Sequence, residues 1–217
     1  SPLYSSSSIH ITKKNGNDFT GQLIDIRYPG GVINDVHFSL LGDFNLDNLS
    51  MGIMAIQILQ EKGFKTENVH IRKGLAFLVN PGRMEIVSKK PMVFIDVAHN
   101  PHAAQAVIKA LAGLVSTRQK VLIFGALDDK DSAGILAVLG ESAKVCIITR
   151  PVSSRSENWL RTVKVWQRLF PGQEVLAIEN IQEAVKKGLE TVSENEYILI
   201  AGSFYVAKEA RKYFINV

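Results

Sequence analysis

Four short stretches of this sequence gather side chains that could bind anions or move protons. The richest is Asp96-Val97-Ala98-His99-Asn100-Pro101-His102. Asn100 suits a helix N-cap and Pro101 the first helical position. Asp96 and His99 then fall in a strand-to-helix turn, beside a helix N-terminus whose unpaired N–H groups favour anions. Two plainer readings stand beside that one. Asp96 and Asn100 could serve only as backbone caps. Asp-x-x-His-x-x-His is also a metal-ligand spacing, weakened by the lack of a third strong ligand nearby.

Pro81-Gly82-Arg83 is the second stretch. The segments Met84–Ser88 and Met92–Asp96 are close enough to pair as a hairpin around Lys89-Lys90, which sets Arg83 opposite Asp96. Arg83 could then hold a phosphate bidentately while Asp96 accepts from a ribose hydroxyl; a surface Arg–Asp pair is the alternative. The third stretch is Ala201-Gly202-Ser203-Phe204-Tyr205. Gly202 permits close backbone approach, and Ser203 with free N–H groups could bind a carboxylate, or be simply a helix cap. In the fourth, Gly125-Ala126-Leu127-Asp128-Asp129-Lys130-Asp131, the acids read as caps that favour the next helix dipole. Arg150 and Arg155 could face the same cleft; surface charge is an equal reading.

The elements that must position these groups change character along the chain. Up to residue 80 the pattern gives strands at Ile9–Lys13, Thr20–Arg27 and Val36–Leu40, split by turns at Asn15-Gly16-Asn17 and Pro29-Gly30-Gly31. Helices follow at Asn48–Gln60, ended by Gly63, and at Thr66–Leu78. Three short strands and two helices make a poor independent domain, so this part reads as the end of a larger sheet.

Residues 81–217 alternate strand and helix. Strands are expected at Met84–Ser88, Met92–Asp96, Val121–Gly125, Val145–Thr149, Glu174–Ile178 and Tyr197–Ala201. Helices start from Pro101, Asp131, Ser156, Ile181 and Phe204. Central strands such as Val121-Leu122-Ile123-Phe124 are apolar throughout, as in a sheet covered on both faces. The fold class is therefore α/β, a doubly wound, mostly parallel sheet, with Asn80-Pro81-Gly82 as the boundary. In such sheets ligands sit at the carboxyl ends of strands, where the first three stretches are placed.

Composition narrows the partners. Apolar residues make up 46% of the 217 residues, enough for a packed core. No apolar run approaches the roughly 18 residues of a membrane span, so no membrane partner is expected. Net charge is +4, with positive residues scattered and no basic stripe interleaved with aromatics. Nucleic acid is thus disfavoured against small anions such as phosphates or carboxylates. Cys146, the single cysteine, lies in an apolar run and reads as buried; a reducing, cytoplasmic setting fits. Ser1-Pro2-Leu3-Tyr4-Ser5 has neither an initiator methionine nor a signal-peptide pattern, as in a chain cut from something longer or a tag scar.

Pro81-Gly82-Arg83, Asp96 to His102, Asp129-Lys130-Asp131 and Gly202-Ser203-Phe204, taken in order, resemble the C-terminal domain of the folylpolyglutamate synthase/dihydrofolate synthase family of the Mur ligase superfamily. Asp-x-Ala-His-Asn-Pro-His carries most of the resemblance. It covers residues 81–217 well, and residues 1–80 less sharply, as the end of that family's central ATPase domain. The resemblance implies ATP-dependent joining of L-glutamate to a folate or dihydropteroate through an acyl phosphate, with Mg2+. It implies that Arg83 meets ATP phosphate, Asp96 the ribose and Asn48 the adenine, and that His99 and Ser203 lie on the glutamate side. It gives no metal ligand in this chain.

Two departures stand out. The family's His-Gln pair ahead of the adenine-contacting asparagine is replaced by Phe44-Asn45. There is also no Gly-x-x-x-x-Gly-Lys-[Ser/Thr] loop to cradle the β- and γ-phosphates. The expectation is a ligase part that is inactive alone, with magnesium ligands and phosphate loop elsewhere. A noncatalytic ligand-binding module and part of a cell-wall Mur ligase are the alternatives. Residues 1–80 are expected to expose an unpaired edge or an apolar face.

Overall fold

The computed structural model describes residues 4–14, 18–115 and 118–215; the expected Asn15-Gly16-Asn17 turn and the first three residues lie outside them. Contacts divide the chain into two compact units, Ser1–Asn80 and Pro81–Val217.

The first unit is an antiparallel sheet in the order β1 (His10–Lys13), β2 (Gln22–Tyr28), β3 (Gly31–Phe38), followed by helices α1 (Phe44–Glu61) and α2 (Asn68–Ala76). Alternation along β2 and β3 sends Ile24, Ile26, Tyr28, Ile33, Val36 and Phe38 into one core with Leu49 and Ile53 of α1 and Ile71 and Leu75 of α2. The third strand starts earlier than expected, because Tyr28 pairs directly with Gly31 across Pro29-Gly30. Asp35, at φ 54°, interrupts the alternation that the sequence pattern needs. Helix α1 also starts earlier. Buried Asn45 donates from Nδ2 to the Leu41 carbonyl at 2.6 Å, so a polar residue that reads as loop is a structural brace. A capping box starts α2, with the Glu67 N–H donating to His70 Nδ1 at 3.0 Å. On α1 the uncharged run Asn48–Gln60 leaves Met51 59% and Leu59 43% exposed. Phe64, Phe77 and Val79 are exposed as well.

The second unit contains β4 (Glu85–Lys89), β5 (Met92–Ile95), α3 (Pro101–Val115), β6 (Lys120–Phe124), α4 (Ser132–Leu139) and β7 (Ala143–Ile148). It continues with α5 (Arg161–Leu169), β8 (Glu174–Ala177), α6 (Ile181–Thr191), β9 (Tyr197–Ala201) and α7 (Phe204–Ile215). Its six strands run in the order β4-β5-β9-β6-β7-β8. Strand β4 is antiparallel to β5, and the other neighbours are parallel. This is the α/β, doubly wound, mostly parallel sheet that the alternation predicts.

Strands β5, β6 and β9 are buried along their whole length. Val93, Ile95, Val121, Ile123, Ile198 and Ile200 pack one face against Ile181, Ala184 and Val185 of α6 and Val206, Ala207 and Ala210 of α7. The alternate residues, including Phe94, Leu122, Phe124 and Cys146, point to the opposite face. There α3 packs on α4 and α4 on α5. Each fully buried large side chain in these layers stabilises the unit by about 1.5–3 kcal/mol.

Two local expectations are corrected. The hairpin turns at Lys90-Pro91 rather than Lys89-Lys90, because Lys89 pairs with Met92. The helix expected from Ser156 begins at Arg161; Ser154–Ser156 form a 3-10 turn instead. Ser156 Oγ donates to the Pro151 carbonyl at 2.7 Å and so holds the chain in a compact loop first.

Candidate active site at the carboxyl ends of the central strands

The chain leaves β5 for helix α3 on one face of the sheet and leaves the neighbouring β9 for α7 on the other. Adjacent strands whose helices diverge open a crevice at their carboxyl ends. A cavity of about 190 Å³ lies there. Its walls are Arg83, ahead of β4; Val97 and His99, after β5; Leu127 and Lys130, after β6; and Gly202, Ser203, Phe204 and Tyr205, after β9. Arg83, His99 and Ser203, separated widely in sequence, are thus brought to one place.

Asp96 lies beneath this wall, 2% exposed. Its Oδ2 accepts the Met84 N–H at 2.9 Å and its Oδ1 the Ala98 N–H at 2.8 Å. Burial pushes its carboxyl up to about 6, against the opposing pull of those two N–H groups and of the Arg83 and His99 charges. The surface Arg–Asp pair is therefore corrected: Asp96 is inside, and its direct partners are main-chain donors. Arg83 is not in register with it either. The ladder shifts between Ile86 and Ser88, and the Val97 N–H donates to the Gly82 carbonyl at 2.8 Å.

His99 Nδ1 lies 3.2 Å from the Val97 carbonyl. A carbonyl only accepts, so Nδ1 is the donor, and in the neutral ring Nε2 is then the acceptor. Asn100 caps α3 by accepting the Ala103 N–H at 2.8 Å, with Pro101 as the first helical residue. His102 is exposed, and no group of three His, Cys, Asp or Glu is arranged to hold a metal ion among the described residues.

Ser203 is 3% exposed and accepts the Val206 N–H at 3.2 Å. It is a cap, yet its hydroxyl proton stays available to a ligand. Gly202 has φ 111°, and a Cβ there would come within 2.7 Å of the Gly125 carbonyl oxygen and the Phe124 ring. Only glycine lets the β6 and β9 ends approach this closely.

Lys130 is the residue whose role the sequence pattern missed. The reading of residues 125–131 as caps holds for Asp131, which accepts the Gly134 N–H at 2.9 Å. Between the acids, Lys130 enters the cavity wall. A lysine placed just past a central strand was the available signal. Arg150 and Arg155 do not line this cavity. Arg150 pairs with Glu179 at 2.7 Å beside a separate open groove, and Arg155 pairs with Asp129 at 2.5 Å. Asn48 is exposed on α1 of the first unit.

Helices α3, α4 and α7 all begin at this end of the sheet, so their N-termini add to Arg83 and Lys130. The arrangement suits anions: a cationic wall, a hydroxyl donor, and apolar panels from Val97, Leu127 and Phe204.

A family model described as Mur ligase, glutamate ligase domain, matches residues 82–204. The chain belongs to this Mur ligase family. The matched span contains every cavity residue except Tyr205. Dihydrofolate synthase/folylpolyglutamate synthase of Escherichia coli (strain K12) is 41% identical over 154 residues, covering 70% of this chain and 34% of that protein. The Mycobacterium tuberculosis protein of the same description is 28% identical over 209 residues, covering 89% and 43%. Among solved structures, Mycobacterium tuberculosis folylpolyglutamate synthase complexed with ADP and AMPPCP superposes with a TM-score of 0.85 at 27% identity, over 96% of this chain and 48% of that one. This Mur ligase chain thus spans less than half the length of these relatives.

Proposed function

We propose that this chain is the amino-acid-accepting part of an ATP-dependent ligase that adds L-glutamate to dihydropteroate or to a folate. The observation that carries the reading is the convergence of Lys130, His99, Ser203 and the α7 N-terminus on one cavity inside a Mur ligase glutamate ligase domain. Lys130 and the α7 N–H groups offer charge to a glutamate carboxylate, and Ser203 offers a hydrogen bond. His99 Nε2 is the acceptor available to an ammonium proton.

In the proposed reaction the folate carboxylate attacks the γ-phosphate of ATP, giving an acyl phosphate and ADP. The glutamate amine, having lost a proton, attacks the acyl carbon, and phosphate leaves as the amide forms. Arg83 is assigned to ATP phosphate. Asp96 is assigned to the nucleoside ribose, acting from beneath the wall through whichever lone pairs its two N–H partners leave. The Mg2+ that such a reaction uses finds no cluster of three His, Cys, Asp or Glu among the described residues. The phosphate loop is likewise absent from the sequence, so turnover is assigned to a longer assembly and not to this chain alone.

The test is a titration of the chain with L-glutamate, followed by amide NMR, with Lys130→Ala and Ser203→Ala beside the wild type. Shifts at residues 127–130 and 202–205 that vanish in Lys130→Ala support the proposal. Binding unaffected by either variant would place the amino acid elsewhere. Turnover of ATP by the complete ligase with glutamate and folate, against a UDP-linked peptide, separates the folate reading from the cell-wall one.

A further inference from the structure

We propose that Arg155, which stands outside the cavity, is a positioning residue for Lys130, an inference that rests on the glutamate-binding reading above. The β6–α4 loop, residues 125–131, has few bonds of its own. The Lys130 N–H donates to the Leu127 carbonyl at 3.1 Å, and the Ser132 N–H to the Lys130 carbonyl at 2.9 Å. The Gly125 N–H donates to the Ala201 carbonyl of β9 at 3.2 Å, and further bonds come from the segment after β7. The Asp128 N–H donates to the Arg155 carbonyl at 2.8 Å. Asp128 Oδ2 accepts the Asn158 N–H at 3.2 Å, and the Arg161 guanidinium donates to the Asp128 carbonyl.

The side chains extend this brace to the cavity. Arg155 Nη2 and Lys130 Nζ share one carboxylate oxygen, Asp129 Oδ2, at 2.5 Å and 3.2 Å. The shorter contact belongs to Arg155. Burial would raise the Asp129 carboxyl, but the bonds from Lys130 and Arg155 outweigh it and hold it below the ordinary carboxylate range. Asp129 is therefore ionised at neutral pH, and the trio carries a net charge of +1. Without Arg155 the charges of Lys130 and Asp129 cancel, and the ammonium is drawn fully to its neighbour. With Arg155 satisfying Asp129, Lys130 remains tethered at the cavity wall with charge left for an incoming carboxylate. Arg155 acts by charge through a single oxygen, so a lysine can replace it where a neutral residue cannot.

The experiment uses the same chain and the same L-glutamate titration, on Arg155→Gln and Arg155→Lys. The expected result is an affinity about fivefold weaker in Arg155→Gln, the scale of one exposed charge contact, and within about twofold of wild type in Arg155→Lys. The amide spectrum outside residues 125–131 and the segment around residue 155, and the melting temperature, should not change in either variant. Wild-type affinity in Arg155→Gln, while Lys130→Ala has lost binding, overturns the inference and leaves the glutamate reading standing. Equal weakening in both Arg155 variants overturns it too, since charge is then not what matters, as does a spectrum disturbed throughout the unit. If the wild type itself fails to bind L-glutamate, the reading falls and takes the inference with it.

Discussion

The Asp96 carboxylate accepts the main-chain N–H of Met84 at 2.9 Å, tying the end of β5 to the residue that leads into β4. Met84 has φ 49° and is 2% exposed, so this bond holds an uncommon backbone conformation next to Arg83. One buried acid thereby fixes the direction in which the chain delivers Arg83 to the cavity.

That burial has a pH signature. Asp96 is raised from 3.8 to about 6, so the folded state binds its proton more tightly than the unfolded state. Its contribution to stability is full below about pH 4 and is lost as pH rises through about 6. The span is on the order of 2–3 kcal/mol. Urea unfolding of wild type and Asp96→Asn from pH 4 to 7 should show the wild type losing stability relative to the variant across that window. A constant difference would mean that Asp96 is not raised.

Lys120 offers the same test in the basic range. It is 2% exposed at the start of β6 and bonds to the Glu141 carbonyl; burial lowers its ammonium to about 8, against a smaller opposing effect of the Glu141 charge. The unfolded state then binds the proton more tightly, so stability should rise with pH above about 8. Relative to Lys120→Met, wild type should gain stability between pH 8 and 10, as read by denaturant midpoints.

Replacing Ser203 by alanine removes the acceptor of the Val206 N–H as well as a cavity hydroxyl. The structural cost should be about 1 kcal/mol, typical of a lost N-cap. Thermal melts measure that cost, and L-glutamate titration at a temperature where both proteins are folded measures the ligand effect separately.

Gly202→Ala should be worse. At φ 111°, with the Gly125 oxygen 2.7 Å from the new Cβ, either strain or separation of β6 and β9 follows. A loss of more than about 1 kcal/mol is expected by guanidinium unfolding, larger than at Gly172. At Gly172, φ is 85° but nothing lies within 4 Å of the added carbon.

Much of this molecule is written locally. The continuous apolar run Val121–Phe124 suits a strand covered on both faces, and Asn100-Pro101 suits a helix start. From these the sequence by itself determined the β/α alternation, the Asn80-Pro81 change of character, and the placing of Arg83, His99 and Ser203 at strand ends. It was less able to read Phe44-Asn45 as helix, because the brace from Asn45 to Leu41 is invisible to a pattern of apolar spacing.

Tertiary structure decided the rest. Strand order places β9 between β5 and β6, and so puts Ser203 beside His99. The β4–β5 ladder, with Glu85 opposite Ile95, moved Arg83 out of register with Asp96, and burial turned Asp96 from a surface partner into an inner brace. Lys130 entered the cavity and Arg155 stayed outside because the loop that carries Lys130 takes its shape from hydrogen bonds to residues 155–161. Side-chain direction past a strand end depends on such distant donors and acceptors, and no window of neighbouring residues contains them.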